Sequence, residues 1–283
     1  MNRSLRRLAF WPLLVVLIAG TSCTFKLAYN YADWLILLQL DHYFNLTHEQ
    51  KNVLSARLET LLIHHRTEAL PKYAAFIVLL SETCEDGLTG EEVDGFFASY
   101  TALRTELFEL VAEDGTRFLG SVDERQRQYL EDRLQRDNQE IEERLQDPPD
   151  KRLAKRAART VEWVEDWLGS LTTVQEQRIT ELSMALPDTF PVWVEYRRAR
   201  QHALLEILRG SGDPRELSGP WREWLLNTES AAPPNYLRSR ELMQQEVKLM
   251  VLSIDRLMTP QQRGHLLSEL HEIIEDLQDL AAG

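Results

Sequence analysis

The stretch LAKRAARTVEWVEDWLGSLTTVQ, Leu153 to Gln175, decides the fold class. Its apolar residues Leu153, Ala157, Val161, Val164, Leu168 and Leu171 follow at steps of 4, 4, 3, 4 and 3, which places them on one face of an α-helix. Gly169 marks the end of that helix, and Leu171-Thr172-Thr173-Val174-Gln175 reads as the start of the next. In such a capping box the Thr oxygen accepts from the third helical amide, while the Gln side chain reaches back to the amide of the cap residue. A helix, its stop and a new start therefore lie in one short run.

Working outward, the same arrangement recurs. It reads LTHEQ at Leu46 to Gln50, VDERQ at Val122 to Gln126 and MTPQQ at Met258 to Gln262, with an acidic version, LTGEE, at Leu88 to Glu92. The capping pairs are Thr47 with Gln50, Asp123 with Gln126, Thr172 with Gln175 and Thr259 with Gln262. Pro260 suits the first helical position, where its missing N–H costs nothing. Further helical stripes run through Leu54, Leu58, Leu61 and Leu62, and through Tyr73, Phe76, Ile77 and Leu80, and no run alternates in the manner of a strand. Breakers at Leu70-Pro71, Gly87, Gly115 to Gly120, Pro148-Pro149, Gly169, Pro187 to Pro191, Gly210 to Pro214 and Pro233-Pro234 divide the helices. The expected architecture is an all-α array of about nine or ten helices behind a cleaved leader. Asp147 to Asp150 is the candidate boundary between a first helical half, 46–147, and a second, 150–283, the two packed as one unit.

The chain has 283 residues, 43% of them apolar and 27% charged, with a formal net charge of −13, which is an ordinary globular composition. Only the N-terminus is continuously apolar. Arg3, Arg6 and Arg7 precede the 13-residue run Leu8 to Gly20, followed by Thr21, Ser22 and Cys23. A basic segment, a short apolar run and a small-residue exit describe a secretory leader, residues 1–22, and the run is short for a spanning helix of roughly 20 residues. An uncleaved N-terminal anchor is the alternative. Removing the leader takes three arginines and leaves 261 residues, with 45 acids against 29 bases, a charge of −16. That balance argues against nucleic acid as a partner. Cys84 has acidic sequence neighbours, Glu82, Glu85 and Asp86, and reads as an inert thiol.

Cys23 behind Thr21 and Ser22 resembles the lipobox of bacterial lipoproteins, with Gly20 standing where Leu is common. The resemblance implies acylation of the Cys23 thiol, a mature chain whose 23–45 segment is the lipidated N-terminus and first helix, and no cofactor beyond that covalent lipid. Thr24, rather than Asp, after the cysteine implies the outer membrane, with the inner membrane as the alternative. The positions Leu46, Thr47 and Gln50, Leu171, Thr172 and Gln175, and more loosely Met258, Thr259 and Gln262, are similar to the L-T-x-x-Q motif of the Spy and CpxP type of periplasmic proteins. Those are helical cradles, and Spy-like members are ATP-independent chaperones. A wider resemblance, through Lys26 to Asn30, Trp34, Asp41 to Gln50, His65-Arg66 and Leu70 to Tyr73, is to a family of proteobacterial lipoproteins with no assigned activity. It implies a place in the cell envelope.

Chemistry is sparse. There is no G-x-S-x-G, Walker A, G-x-G-x-x-G or H-E-x-x-H pattern. His64, His65 and Glu68 are the best-spaced metal candidates, and His265 with Glu269 is a second turn-spaced pair, yet neither set has the partner ligands that zinc wants. Lys151, Arg152, Lys155, Arg156 and Arg159 line one helix face and could meet an acidic partner or lipid headgroups, although nearby acids suggest surface pairing. Trp163 and Trp167 lie one turn apart, as a buried pair or as part of a partner surface, and Trp221 with Trp224 forms another close pair. The expectation is a non-enzymatic lipoprotein facing the periplasm. It touches the membrane through its anchor and binds an envelope protein, with a Spy-like holdase binding unfolded clients as the alternative.

Overall fold

The computed structural model describes residues 22–210 and 213–283, so the expected leader, but for its last residue, lies outside the described residues. Every described element is helical. In chain order these are α1 (Ser22–Asn30), α2 (Ala32–Phe44), α3 (His48–His64), a π-turn (His65–Ala69), α4 (Leu70–Cys84), α5 (Gly90–Gly120), α6 (Glu124–Leu145), α7 (Pro149–Leu168), α8 (Thr173–Ala185), α9 (Phe190–Gly210), α10 (Pro214–Leu226), α11 (Pro234–Leu257) and α12 (Pro260–Ala282). No helix among the described residues is long and apolar enough to cross a membrane.

The described residues form the all-α multi-helix array that the sequence leads one to expect, and two of the breakers act differently from their sequence reading. Leu70-Pro71 does not end a helix. Pro71 offers no N–H and its ring crowds the carbonyl four residues back, and the preceding turn widens until the Leu70 amide bonds the His65 carbonyl five residues away. The Thr67 hydroxyl donates to the Ile63 and His64 carbonyls, and helical structure continues from α3 through this turn into α4. Gly115 also fails to break its helix, because α5 runs 31 residues to Gly120. Gly115 serves packing instead: a Cβ there would lie 2.7 Å from the Trp221 ring, and the indole N–H donates to Ala112 O at 2.9 Å.

Three apolar clusters hold the array. The largest joins Tyr43, Phe44 and Leu46 with Phe118, Leu130, Leu204 and Leu217, so helices from both sides of Asp147 share it. A second ties the chain's ends together, with Tyr29, Leu70 and Tyr73 packed on Leu277 and Leu280. The third is Val164, Leu168 and Ile179, covered by Leu171, Ile254, Met258 and Leu266.

Candidate functional site

The recurring motif does three tasks at once. Its apolar first residue feeds a core: Leu46 and Val122 lie in the largest cluster, and Leu171 and Met258 pack on the third. Its Thr or Asp caps the helix, with complete capping boxes at Thr47, Thr89, Asp123, Thr172 and Thr259. Its Gln then reaches a second motif. Gln50 and Gln126 exchange amide hydrogen bonds, Nε2 to Oε1 at 3.0 Å one way and 2.8 Å the other. Gln175 and Gln262 do the same at 2.7 and 3.1 Å.

The box itself dictates this geometry. Each Gln Oε1 is turned toward its own cap N–H, at 3.0 Å for Thr47, Thr172 and Thr259 and 3.2 Å for Asp123. That orientation aims Nε2 outward, where it meets the partner Oε1 and a carbonyl just before the partner cap: Ser121 for Gln50, Phe44 for Gln126, Leu257 for Gln175 and Ser170 for Gln262. Each clasp brings two helix N-termini together, and the oxygens in it answer the positive ends of both helices. The fifth motif carries Glu92, which accepts from Thr89 but cannot donate, and it forms a box without a clasp.

The segment after Cys23 is fastened to the body on one side only. Lys26 Nζ lies 2.8 Å from Asp276 and 2.7 Å from Asp279 on α12. Tyr29 Oη bonds His65 Nδ1 at 2.9 Å, and Arg66 donates to Asn30 Oδ1 at 3.1 Å. Cys23 stands in the same helix, three residues before Lys26. The opposite side is bare, with Leu27 60%, Tyr31 57% and Trp34 57% exposed and Leu35 and Leu38 exposed beside them.

The histidine and carboxylate candidates part company. His65 is buried between Tyr29 and Tyr73, and burial, with a smaller push from His64, lowers its pKa to about 4. His64 and Glu68 are exposed and border a half-open hollow with Lys72, Tyr73 and Glu106, where Lys72 pairs with Glu106 at 2.5 Å. His265 faces Glu269 at 3.7 Å on the outside of α12.

Most of the basic run is engaged within the molecule. Lys151 and Lys155 grip Asp147 at 2.7 and 2.6 Å and hold its carboxyl down at about 2. Arg152 pairs with Asp188, and Arg156 donates to the Ser183, Leu186 and Pro187 carbonyls, closing the C-terminal end of α8. Arg159 is exposed. Trp163 is exposed while Trp167 packs against the third cluster, their rings 6.1 Å apart. Trp221 and Trp224 stack at 5.3 Å and each donates to a backbone carbonyl. Burial, more than its sequence neighbours, raises the Cys84 thiol to about 11, with Asp255 adding to the effect.

Sequence reading had not singled out Asp276, Asp255 or the exposed stripe. Asp255 accepts from the Leu88 amide at 3.0 Å and pairs with Arg263 at 3.1 Å, securing the turn after α4. Its partners lie far away in sequence, and no local pattern marks them. No curated protein and no solved structure matches the chain. Residues 42–237, which hold the first clasp and the Thr172 to Gln175 half of the second, match the model of a family of unknown function (DUF6279), and the chain belongs to that family.

Proposed function

We propose that the chain is a bacterial envelope lipoprotein, held at the outer membrane by acyl chains on Cys23, facing the periplasm and serving a non-enzymatic binding or structural role. The observation that carries the reading is the order of the N-terminus: three arginines, a 13-residue apolar run, small residues and Cys23. The fastening of α1 by Lys26, Tyr29 and Asn30 supports it, because a tether joined to a docked helix holds the body at a fixed distance from its membrane. Buried polar groups such as Gln126, Gln175, Gln262 and Asp276 are taken up in caps, clasps and ion pairs, which favours a structural use for them. The test is Cys23→Ser in the full chain. Loss of acyl labelling and release from the membrane fraction is expected, and unchanged membrane association would contradict the reading.

An ATP-independent holdase is the second reading. It draws on α3, which buries none of its residues and leaves Val53 and Ile63 exposed, and on Val174, exposed just after Thr172. Suppression of client aggregation by the mature chain at stoichiometric ratio would favour it, and no suppression would remove it.

A further inference from the structure

The exposed side of α1 and α2 is a continuous stripe. Leu27, Tyr31, Trp34, Leu35 and Leu38 occupy positions i, i+4, i+7, i+8 and i+11, and the bonds Tyr31 N–H to Leu27 O (3.3 Å) and Leu35 N–H to Tyr31 O (2.9 Å) carry the helical ladder across the joint between the two helices. Nine of the thirteen residues of α2 are apolar, more than one buried face requires, and Ala32, Tyr43 and Phe44 supply the buried face. Lys26, Tyr29 and Asn30 fix the orientation, so the stripe cannot roll inward.

We propose that this stripe lies in the interfacial layer of the bilayer that receives the acyl chains of Cys23, so that the protein is held by a helix face as well as by lipid. The inference rests on the reading of Cys23 as acylated. Position argues for the bilayer as occupant. Leu27 follows Cys23 by one helical turn, about 6 Å along the axis, and the stripe then extends roughly 16 Å more, so acylation brings the whole stripe to the membrane surface. Composition agrees: Trp and Tyr favour the headgroup level, and Leu side chains favour the acyl boundary below it. The cations beside α1, Lys26 and Arg66, are engaged with Asp276 and Asp279 and with Asn30, so attachment by this face is apolar and does not depend on anionic lipid.

The test uses residues 23–283 coupled through Cys23 to a maleimide lipid in phosphatidylcholine vesicles, which makes it independent of biological acylation. Cys84 is buried with a raised pKa, and coupling is directed to Cys23. With brominated acyl chains the coupled protein loses tryptophan emission, Trp34→Phe abolishes that loss, and Leu35→Glu with Leu38→Glu abolishes it while the chain remains coupled; added salt changes none of this. Quenching that persists in Trp34→Phe, or no quenching in the coupled wild type, overturns the proposal. So does a vesicle-free dimer in which Trp34 is shielded from acrylamide, which would assign the stripe to a second copy. Unmodified Cys23 in protein from the envelope, with quenching intact in the coupled chain, would refute the tether and leave the interfacial face standing.

Discussion

The clasp of Gln50 with Gln126 and the clasp of Gln175 with Gln262 share a motif and a bonding pattern but not their surroundings. Both amides of the second are buried, beneath Leu171, Met258 and the third apolar cluster. In the first only Gln126 is buried, and Gln50 lies at the rim, where α3 begins and buries nothing. The motif fixes which helix starts meet, while burial sets what the meeting is worth. The loosely covered clasp opens α3, the helix that buries none of its residues, and the other end of α3 meets α1 through His65 and Tyr29.

The largest expected effect separates the clasps directly. Gln262→Leu strands the Gln175 amide, the Ser170 carbonyl and the Thr259 N–H in a buried place, and at roughly 1–3 kcal/mol for an orphaned group, partly relieved by relaxation, stability falls by about 4 kcal/mol in urea unfolding. Gln50→Leu, at the wetter clasp, costs about 1 kcal/mol. Equal losses would break the comparison.

Acid sharpens it from the other end of α3, where His65 meets Tyr29. An unfolded histidine titrates near 6.5, whereas His65, in the folded chain, is lowered to about 4. As pH falls, the unfolded chain takes the proton first, so the stability due to neutral His65 is full above pH 6.5, declines between 6.5 and about 4, and levels below. The loss is on the order of 3 kcal/mol, and His65→Gln should flatten that portion of the urea midpoint against pH. An unchanged slope would remove the effect from His65.

A smaller effect tests reciprocity. In a double-mutant cycle, Gln175→Ala and Gln262→Ala should couple by about 2 kcal/mol, and Gln50→Ala with Gln126→Ala by less. Additive losses at Gln175 and Gln262 would mean that each Gln merely caps its own helix. The smallest effect belongs to the box without a clasp. The hydrogen bonds of Thr89 hold the Glu92 carboxyl below its ordinary range, so the stability it adds is present above that range and is lost as pH falls through the lowered pKa. Glu92→Gln should erase this slight acid dependence, measured as the thermal midpoint against pH.

Much of this was legible from local pattern. A capping box is complete within four residues, and the starts at Thr47, Thr89, Asp123, Thr172 and Thr259 are readable for that reason. The all-α class follows from the same boxes and the stripes between them. The pairing of the boxes was not legible, because the partner glutamines lie 76 and 87 residues apart. Periodicity finds an apolar face but does not say what covers it, and the stripe from Leu27 to Leu38 therefore escaped notice. Gly115 and Pro71 misled for a related reason: each is a breaker by local preference, and tertiary packing turns the first into a seat for Trp221 while a widened turn absorbs the second.

The central proposal is that the chain is joined to a membrane through Cys23. Its most direct test is the intact mass of the protein extracted from envelope membranes. The expected mass is that of residues 23–283 carrying acyl chains on Cys23. A chain that begins at Met1, or one with an unmodified Cys23, would contradict it.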